Sequence, residues 1–426
     1  MNIDKYEWTI GQAPPPLEAH SAAKHAVFRS YIERYIEVLT SNPRREALGL
    51  TLIDGFAGGG EYTFKDAMVP GSPMILLQEV ACARARLSIQ RRKPFHLNAE
   101  FIFVERSTAN KEFLEYTIRR SEYKSLLGDS VHLLNTEFEQ ALPQILARIR
   151  ARTRAHRSIF FLDQYGYSQV SLETIRTILT SLNSPEIVLT FNVDWLISFL
   201  SADDEFLKAV KPVELELNDV KRMLAFKTEP RDGRWLIQNL LFQHLRDKTG
   251  APYYTCFFIK SPASHLSYWL VHISKHPKAR DEMARLHWAM KNHFTHHGRA
   301  GLKMLGFDPE QESQQMPMDF LFDDNAEART TKALMSDLPP LIFERSAQIS
   351  APPTLENLFT HVCNETPATT KQIAQVIVNL RNEGEIEIFT KDGGAKPRSE
   401  QIAWTDVILP ARQRSLLSTV WPPNRS

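Results

Sequence analysis

The sequence predicts an α/β fold: a doubly wound, mostly parallel sheet followed by a smaller C-terminal domain of helices and a hairpin. Two observations carry this. Four short apolar runs, LTLID (50–54), EFIFVE (100–105), SVHLLN (130–135) and SIFFLD (158–163), recur along the chain, each followed by a helical pattern. The runs are continuous rather than alternating, as expected of strands buried on both faces in βαβ units. After residue 337 the character changes to proline-flanked chain, then helix, helix and a short hairpin.

Along the chain, SAAKHAVFRSYIERYIEVL (21–39) puts Phe28, Tyr31, Ile32, Tyr35, Ile36 and Leu39 on one helical face. EIVLTFN (186–192) reads as a fifth strand after the helix SLETIRTILTSL. YTCFFIK (254–260) and SYWLVHIS (267–274) read as an antiparallel hairpin at one sheet edge. Residues 195–250 read as a helical insertion, giving a first domain over 1–336. A linker is expected over 337–353, where DLPPL and APP carry a proline pair at each end. Residues 354–426 then follow the element order of a winged helix.

Composition narrows the function classes. The 426 residues hold 51 Lys+Arg and 50 Asp+Glu, a net charge of +1, which argues against a polycation but leaves room for a local basic groove. No apolar stretch approaches the ~18 residues a membrane span needs, and the N-terminus lacks an apolar signal core. Cys82, Cys256 and Cys363 are odd in number and too widely spaced for a metal set. They read as reduced thiols of a cytoplasmic protein.

The densest chemical signal is LTLIDGFAGGGEY (50–62). A strand ending in an acid and turning through glycines into a helix suits an anionic or ribose-bearing ligand. The spacing Asp54-x-Phe56-x-Gly58-x-Gly60 departs from the dinucleotide G-x-G-x-x-G, and no Lys-Ser/Thr follows to make a P-loop. The D-x-F-x-G-x-G form resembles motif I of the S-adenosylmethionine (SAM) methyltransferases, especially those acting on amino groups of nucleic-acid bases. That resemblance implies a Rossmann-like methyltransferase sheet with SAM as cofactor. It implies that the glycine loop passes the methionine moiety. Glu105, ending FVE, offers two oxygens to the ribose hydroxyls, or is a solvated acid at a strand end. Glu137 and Phe138 match the acid-aromatic pair that meets adenine; Phe138 fits helix core as well.

The fourth strand ends in Asp163-Gln164-Tyr165-Gly166. In amino-methyltransferases this place holds an acid or amide, prolines and an aromatic. The acid and a backbone carbonyl accept from the target amine and the aromatic stacks on the base. Here Gln164 stands where proline is usual. Lys24-His25, DGFAGGGEY, Gly71-Ser72-Pro73, the FVE strand end, the D-x-Y-G box and YWLVHISKHPKARDEMARLHWAM (268–290) together resemble one family, the three-Cys-motif partner proteins (TcmP). The resemblance spans residues 20–295 and implies a bacterial or phage protein with a three-Cys-motif partner. It places Lys24 among the cofactor-binding residues. Two functions stand: a methyltransferase acting on a base of DNA or RNA, and a non-catalytic SAM-binding or scaffolding partner.

Other features are weaker. RIRARTRAHR (148–157) carries five arginines before the fourth strand, on the side away from the glycine loop, and reads as a solvated helix end. Residues 391–426 hold six basic and three acidic side chains, which suits a wing lying on phosphates, whereas the preceding residues of that domain are acidic. His287, His293, His296 and His297 read as a surface helix end rather than a zinc site.

Overall fold

The computed structural model describes residues 6–153, 155–227, 233–260, 267–290, 295–297, 319–321, 325–347, 353–366 and 368–411. The chain forms two compact units, residues 1–298 with 306–322, and 299–305 with 323–426.

The first unit opens with α1 (Ala19–Thr40), whose buried face includes Val27, Phe28, Tyr31, Ile32, Tyr35 and Ile36 at helical spacing. Then come β1 (Ala47–Asp54), a hairpin of β2 (Glu61–Phe64) and β3 (Ala67–Pro70), α2 (Ser72–Gln90) and β4 (His96–Val104). Next are α3 (Thr108–Arg120), β5 (Val131–Leu134), α4 (Phe138–Arg150), β6 (Arg157–Leu162), α5 (Leu172–Ser181) and β7 (Pro185–Phe191). A helical stretch follows, α6 (Val193–Phe199), α7 (Asp204–Val210), α8 (Leu217–Lys227) and α9 (Gly233–Thr249). It leads to β8 (Tyr253–Lys260), β9 (Ser267–Ser274), α10 (Pro277–Ala289), β10 (Thr295–His297) and β11 (Asp319–Leu321).

The strands form one sheet in the order β11-β10-β8-β9-β7-β6-β1-β4-β5. β5, β4, β1, β6 and β7 run parallel, and β9 is antiparallel to both β7 and β8. Every residue of β7 is buried, as is β1 from Leu50 to Asp54, so both faces are covered. At about 1.5–3 kcal/mol for each large apolar side chain removed from water, this buried sheet is the main source of the unit's stability. Chain order reverses at β1, which sits between β4 and β6; a crevice opens at the C-terminal ends of strands on either side of such a reversal. The expected late hairpin is there, β8–β9, but β10 and β11 extend the sheet beyond it. The hairpin β2–β3 has no counterpart in the sequence reading. Its turn is Lys65-Asp66, both at positive φ (49° and 63°), without the Asn-Gly signature such turns favour.

The second unit holds α11 (Ala326–Ser346), α12 (Leu355–Val362), α13 (Thr370–Asn382) and the antiparallel pair β12 (Ile386–Phe389) and β13 (Val407–Pro410). The linker expected over 337–353 is corrected in its first part: residues 337–346 are the second half of α11. Pro339 and Pro340 lie inside that helix and remove two backbone donors, a change that costs ~3 kcal/mol or more in a helix interior. Fully buried Ala326, Thr330, Leu334, Leu338 and Ile342, each one turn after the last, form the stripe of a helix that packs against α13 and β13 and continues past the prolines. Thr354 caps α12, and Thr369 with Gln372 forms a capping box on α13.

The expected solvated end of α4 is there, with Arg148, Arg150 and Arg152 exposed; Arg148 and Arg152 also pair with the buried carboxylate of Glu100, the latter at 2.9 Å. Arg154 lies outside the described residues. Lys396 is held by Asp406 at 3.0 Å and Glu400 at 3.4 Å, and residues 412–426 lie outside the described ones. His287 is buried on α10 rather than exposed at a helix end, and His293 lies outside the described residues. The three cysteines are free, and no described helix is long and apolar enough to cross a membrane.

Candidate functional site

A cavity of about 460 Å³ opens at the C-terminal ends of the parallel strands of the first unit. Lys24, Phe56, Gly58, Glu105, Glu137, Phe138, Asp163, Gln164 and Tyr165 all line it. These residues come from five separate stretches of chain. The parallel register brings them together, because β4, β1 and β6 end level, with Asp54 paired to Phe103 on one side and Phe161 on the other.

Glu105 is fixed by the backbone. Its Oε2 accepts from the Gly58 amide at 2.9 Å and its Oε1 from the Ser107 amide at 2.8 Å. Each oxygen keeps a second lone pair, so the carboxylate is aimed and still able to accept. Phe138 is buried, with its ring 6.3 Å from Phe56 and 6.4 Å from Phe160. It is core and cavity wall together. Glu137 is exposed at the start of α4 and receives a long bond from Gln140 at 3.5 Å.

Asp163 is engaged on both oxygens by Lys24, at 2.6 and 2.8 Å. Burial would raise its carboxyl, but the Lys24 charge and hydrogen bond outweigh it and hold the group below the usual range. Gln164 turns its side chain inward. Its Oε1 accepts from the Gln169 amide at 2.9 Å and the Val170 amide at 3.1 Å, closing the 164–170 loop. Its Nε2 is buried without a partner. Tyr165 is 37% exposed at the rim, with its ring edge-on to Trp195 at 5.1 Å.

Two residues of the glycine motif stand apart from the cavity. Asp54 is 1% exposed, and its Oδ1 accepts from the Phe56 amide at 3.1 Å. Burial pushes its carboxyl up to about 7. Gly60 has φ +82°, and a Cβ there would stand 2.7 Å from Leu114 Cδ1, so this glycine serves packing against α3. Gly58 lines the cavity, yet its missing side chain makes room for another residue, Trp8.

Among the cavity residues that sequence reasoning missed are Tyr6, Trp8 and Glu18 of the N-terminal arm, His20 and His25 of α1, and Tyr62 of the hairpin. Leu17 N donates to Thr63 O at 2.7 Å and Thr63 N to Pro15 O at 3.0 Å, which straps the arm to β2. Trp8 Nε1 then donates to Glu61 O at 2.7 Å, and its ring meets Tyr62 at 5.2 Å. Tyr6 packs on Tyr62 at 5.8 Å. His20 stacks on Tyr268 at 4.5 Å and its Nδ1 lies 3.1 Å from Glu18. His25 is held neutral, its pKa lowered to about 4 by burial. The one sequence signal for this cover is the glycine run itself, which needs a bulky partner to fill the space it leaves.

Comparison with known proteins bears on each unit. Residues 306–393 match the family model of the GMT-like wHTH domain. No curated protein matches the chain. Among solved structures it is similar to a Legionella pneumophila protein (12% identity, 63% of this chain and 91% of that one, TM-score 0.36). It is also similar to a putative methyltransferase from Escherichia coli (14%, 64% and 97%, TM-score 0.27). A third is a putative O-methyltransferase from Klebsiella pneumoniae (10%, 61% and 91%, TM-score 0.27). The chain's own strand order, with the reversal at β1 and β9 antiparallel beside β7, makes the first unit a doubly wound α/β sheet. The C-terminal part is winged-helix-like.

Proposed function

We propose that this protein binds S-adenosylmethionine and transfers its methyl group to an amino group of a nucleic-acid base. One observation carries the reading: Glu105, Phe138 and Asp163, which follow three different strands, line a single cavity at the point where chain order reverses. The cavity's size lies within the ~300–1,000 Å³ of small-molecule sites. The donor set suits the cofactor: an aimed carboxylate for two hydroxyls, an apolar wall at Phe138 and Phe56, and a buried charged pair beyond.

Bound there, the cofactor supplies an electrophilic methyl group. Glu105 accepts from the ribose hydroxyls, Phe138 covers one face of the adenine and Glu137 accepts from its amine. Asp163 accepts a hydrogen bond from the acceptor amine and turns the nitrogen lone pair toward the methyl group. Such a contact tightens as charge develops on nitrogen. Tyr165 packs on the acceptor ring from the rim.

A second reading rests on a specific feature. Lys24 occupies both oxygens of Asp163, and Gln164 replaces the proline of the amino-methyltransferase box. Both suit a SAM-binding module that serves a three-Cys-motif protein without catalysis. The winged-helix-like part then contacts either nucleic acid or that partner. Calorimetry with SAM, followed by methyl transfer to single-stranded DNA, duplex DNA and RNA with and without the three-Cys protein, separates the readings. Tight SAM binding with no transfer to any of them would end the catalytic reading and leave the second.

A further inference from the structure

We infer that Trp195 and Phe199 of α6 continue from Tyr165 as a stacking ledge for the nucleotides beside the methylated base, and that the acceptor is a single-stranded nucleic acid. This rests on the reading of the cavity as a methyltransferase site for a base. It goes beyond that reading by naming the form of the substrate and the residues outside the cavity that hold it.

Three rings run on from the cavity. Tyr165 lines it and is 37% exposed. Its ring meets Trp195 edge-on at 5.1 Å, and Trp195 meets Phe199 edge-on at 6.3 Å. Trp195 and Phe199 are four residues apart on α6 and so share one face, whereas Val193 and Leu196 of the same helix are fully buried. Phe199 is 51% exposed, so the fold leaves an aromatic ring in water at the far end of this row. Exposed rings in contact with one another, unlike a single one, mark a contact surface.

The occupant follows from the acceptor chemistry. Asp163 lies in the cavity that Tyr165 rims, and its side chain is only 20% accessible. A base that reaches it has left its stack, as bases do in enzymes that act on them. The neighbouring base then has an uncovered face, and aromatic side chains replace the lost stacking whatever the sequence. Charge suits a strand as well. Exposed Lys227 donates from Nζ to Ser198 O at 3.3 Å and Leu200 O at 3.2 Å, the residues on either side of Phe199, which sets an ammonium where a phosphate would pass. Two acids close by in the chain are engaged: Asp194 is 3% exposed and paired with Arg234, and Asp203 accepts from the Phe206 amide at 2.7 Å. With a net charge of only +1, the chain relies on stacking more than on charge.

The probes are short labelled single strands of DNA and of RNA of mixed sequence, the same DNA as a duplex, and SAM. The parent should bind a single strand more tightly than the duplex, and the tighter of the two single strands identifies the sugar. Phe199→Ala should weaken single-strand binding about fivefold or more, the lower end of what one stacked base contributes, and leave SAM affinity within about twofold. Phe199→Tyr, which keeps a ring, should bind strands and SAM as the parent does. A Phe199→Ala variant that binds single strands like the parent would overturn the ledge, and so would a parent that prefers the duplex or binds no nucleic acid. Loss of the three-Cys protein in Phe199→Ala, with no nucleic acid bound by the parent, would give the face to a protein instead. A parent that methylates a single strand with a KM that Phe199→Ala leaves unchanged refutes the ledge alone. A parent that binds no SAM refutes the reading beneath it, so the two failures are distinguishable.

Discussion

Trp8 occupies the space that a side chain at Gly58 would need: a Cβ built there stands 2.9 Å from Trp8 Cη2. Gly59, too, is roofed by the same indole. The glycine run after β1 is thus packed against an aromatic residue fifty positions earlier, and only Gly58 of the run also borders the cavity.

Steric coupling between the arm and the loop follows. Gly59→Ala should destabilise the protein by about 1–3 kcal/mol, as overpacking does, because the indole must move. In a Trp8→Ala background the same change should cost at least ~1 kcal/mol less. Urea unfolding of the four members of the cycle measures this, and additive costs would show that Trp8 is not the partner. Gly58 is a poorer probe of ligand contact, since its φ of +59° strains any side chain whatever the cavity holds.

Glu105→Ala should weaken SAM at least tenfold, on the basis of ~1.5–3 kcal/mol for each hydrogen bond to a charged acceptor. It also removes the acceptor of the Gly58 and Ser107 amides, so some stability is lost with it. Calorimetry reads the affinity. An unchanged dissociation constant in a folded variant would move the ribose contact elsewhere.

If Asp163 contacts the acceptor as proposed, Asp163→Ala should lower methyl transfer by orders of magnitude while SAM affinity stays within a few fold. Single-turnover rates at saturating SAM test this. A fall in SAM affinity that accounts for the whole loss of rate would refute the role.

Gln164→Pro would restore the residue usual in the amino-methyltransferases, yet the structure predicts harm. The Gln169 and Val170 amides lose their shared acceptor, at about 1–3 kcal/mol for a buried donor left unmade. Thermal unfolding should show a lower Tm than the parent. A variant at least as stable as the parent would mean that the loop closes without this side chain.

Two buried groups give opposite pH dependences. Asp54 has its carboxyl raised from 3.8 to about 7, so the folded state holds a proton that the unfolded state has lost. Its contribution is full below about 4 and is lost as pH rises to about 7. His25 is lowered from 6.5 to about 4, so the unfolded chain takes up a proton first and stability falls as pH drops through that window. Asp54→Asn, which keeps an oxygen for the Phe56 amide, should therefore gain on the parent as pH rises from about 4 to 7. Denaturant midpoints across that range check the sign; a constant difference would place the Asp54 titration outside it.

Local pattern determined much of this protein. The continuous apolar runs specify buried parallel strands, since only a sheet covered on both faces removes every side chain from water, and β1, β4, β5, β6 and β7 all fall at or near the runs that announced them. Acids at strand ends were equally legible, because a parallel sheet sends all its strand ends to one edge. The fate of each acid was not. Whether Asp54 would face a ligand or sink beneath the loop, whether Asp163 would be open or held by Lys24, and what would fill the space over Gly58 and Gly59 depend on segments that meet only after the chain has folded. The same holds for Pro339 and Pro340, which signal a break locally and are overruled by the buried stripe of α11. Periodicity reads a residue's neighbours along the chain. Charge pairing and packing are set by neighbours in space, and those the tertiary structure alone decides.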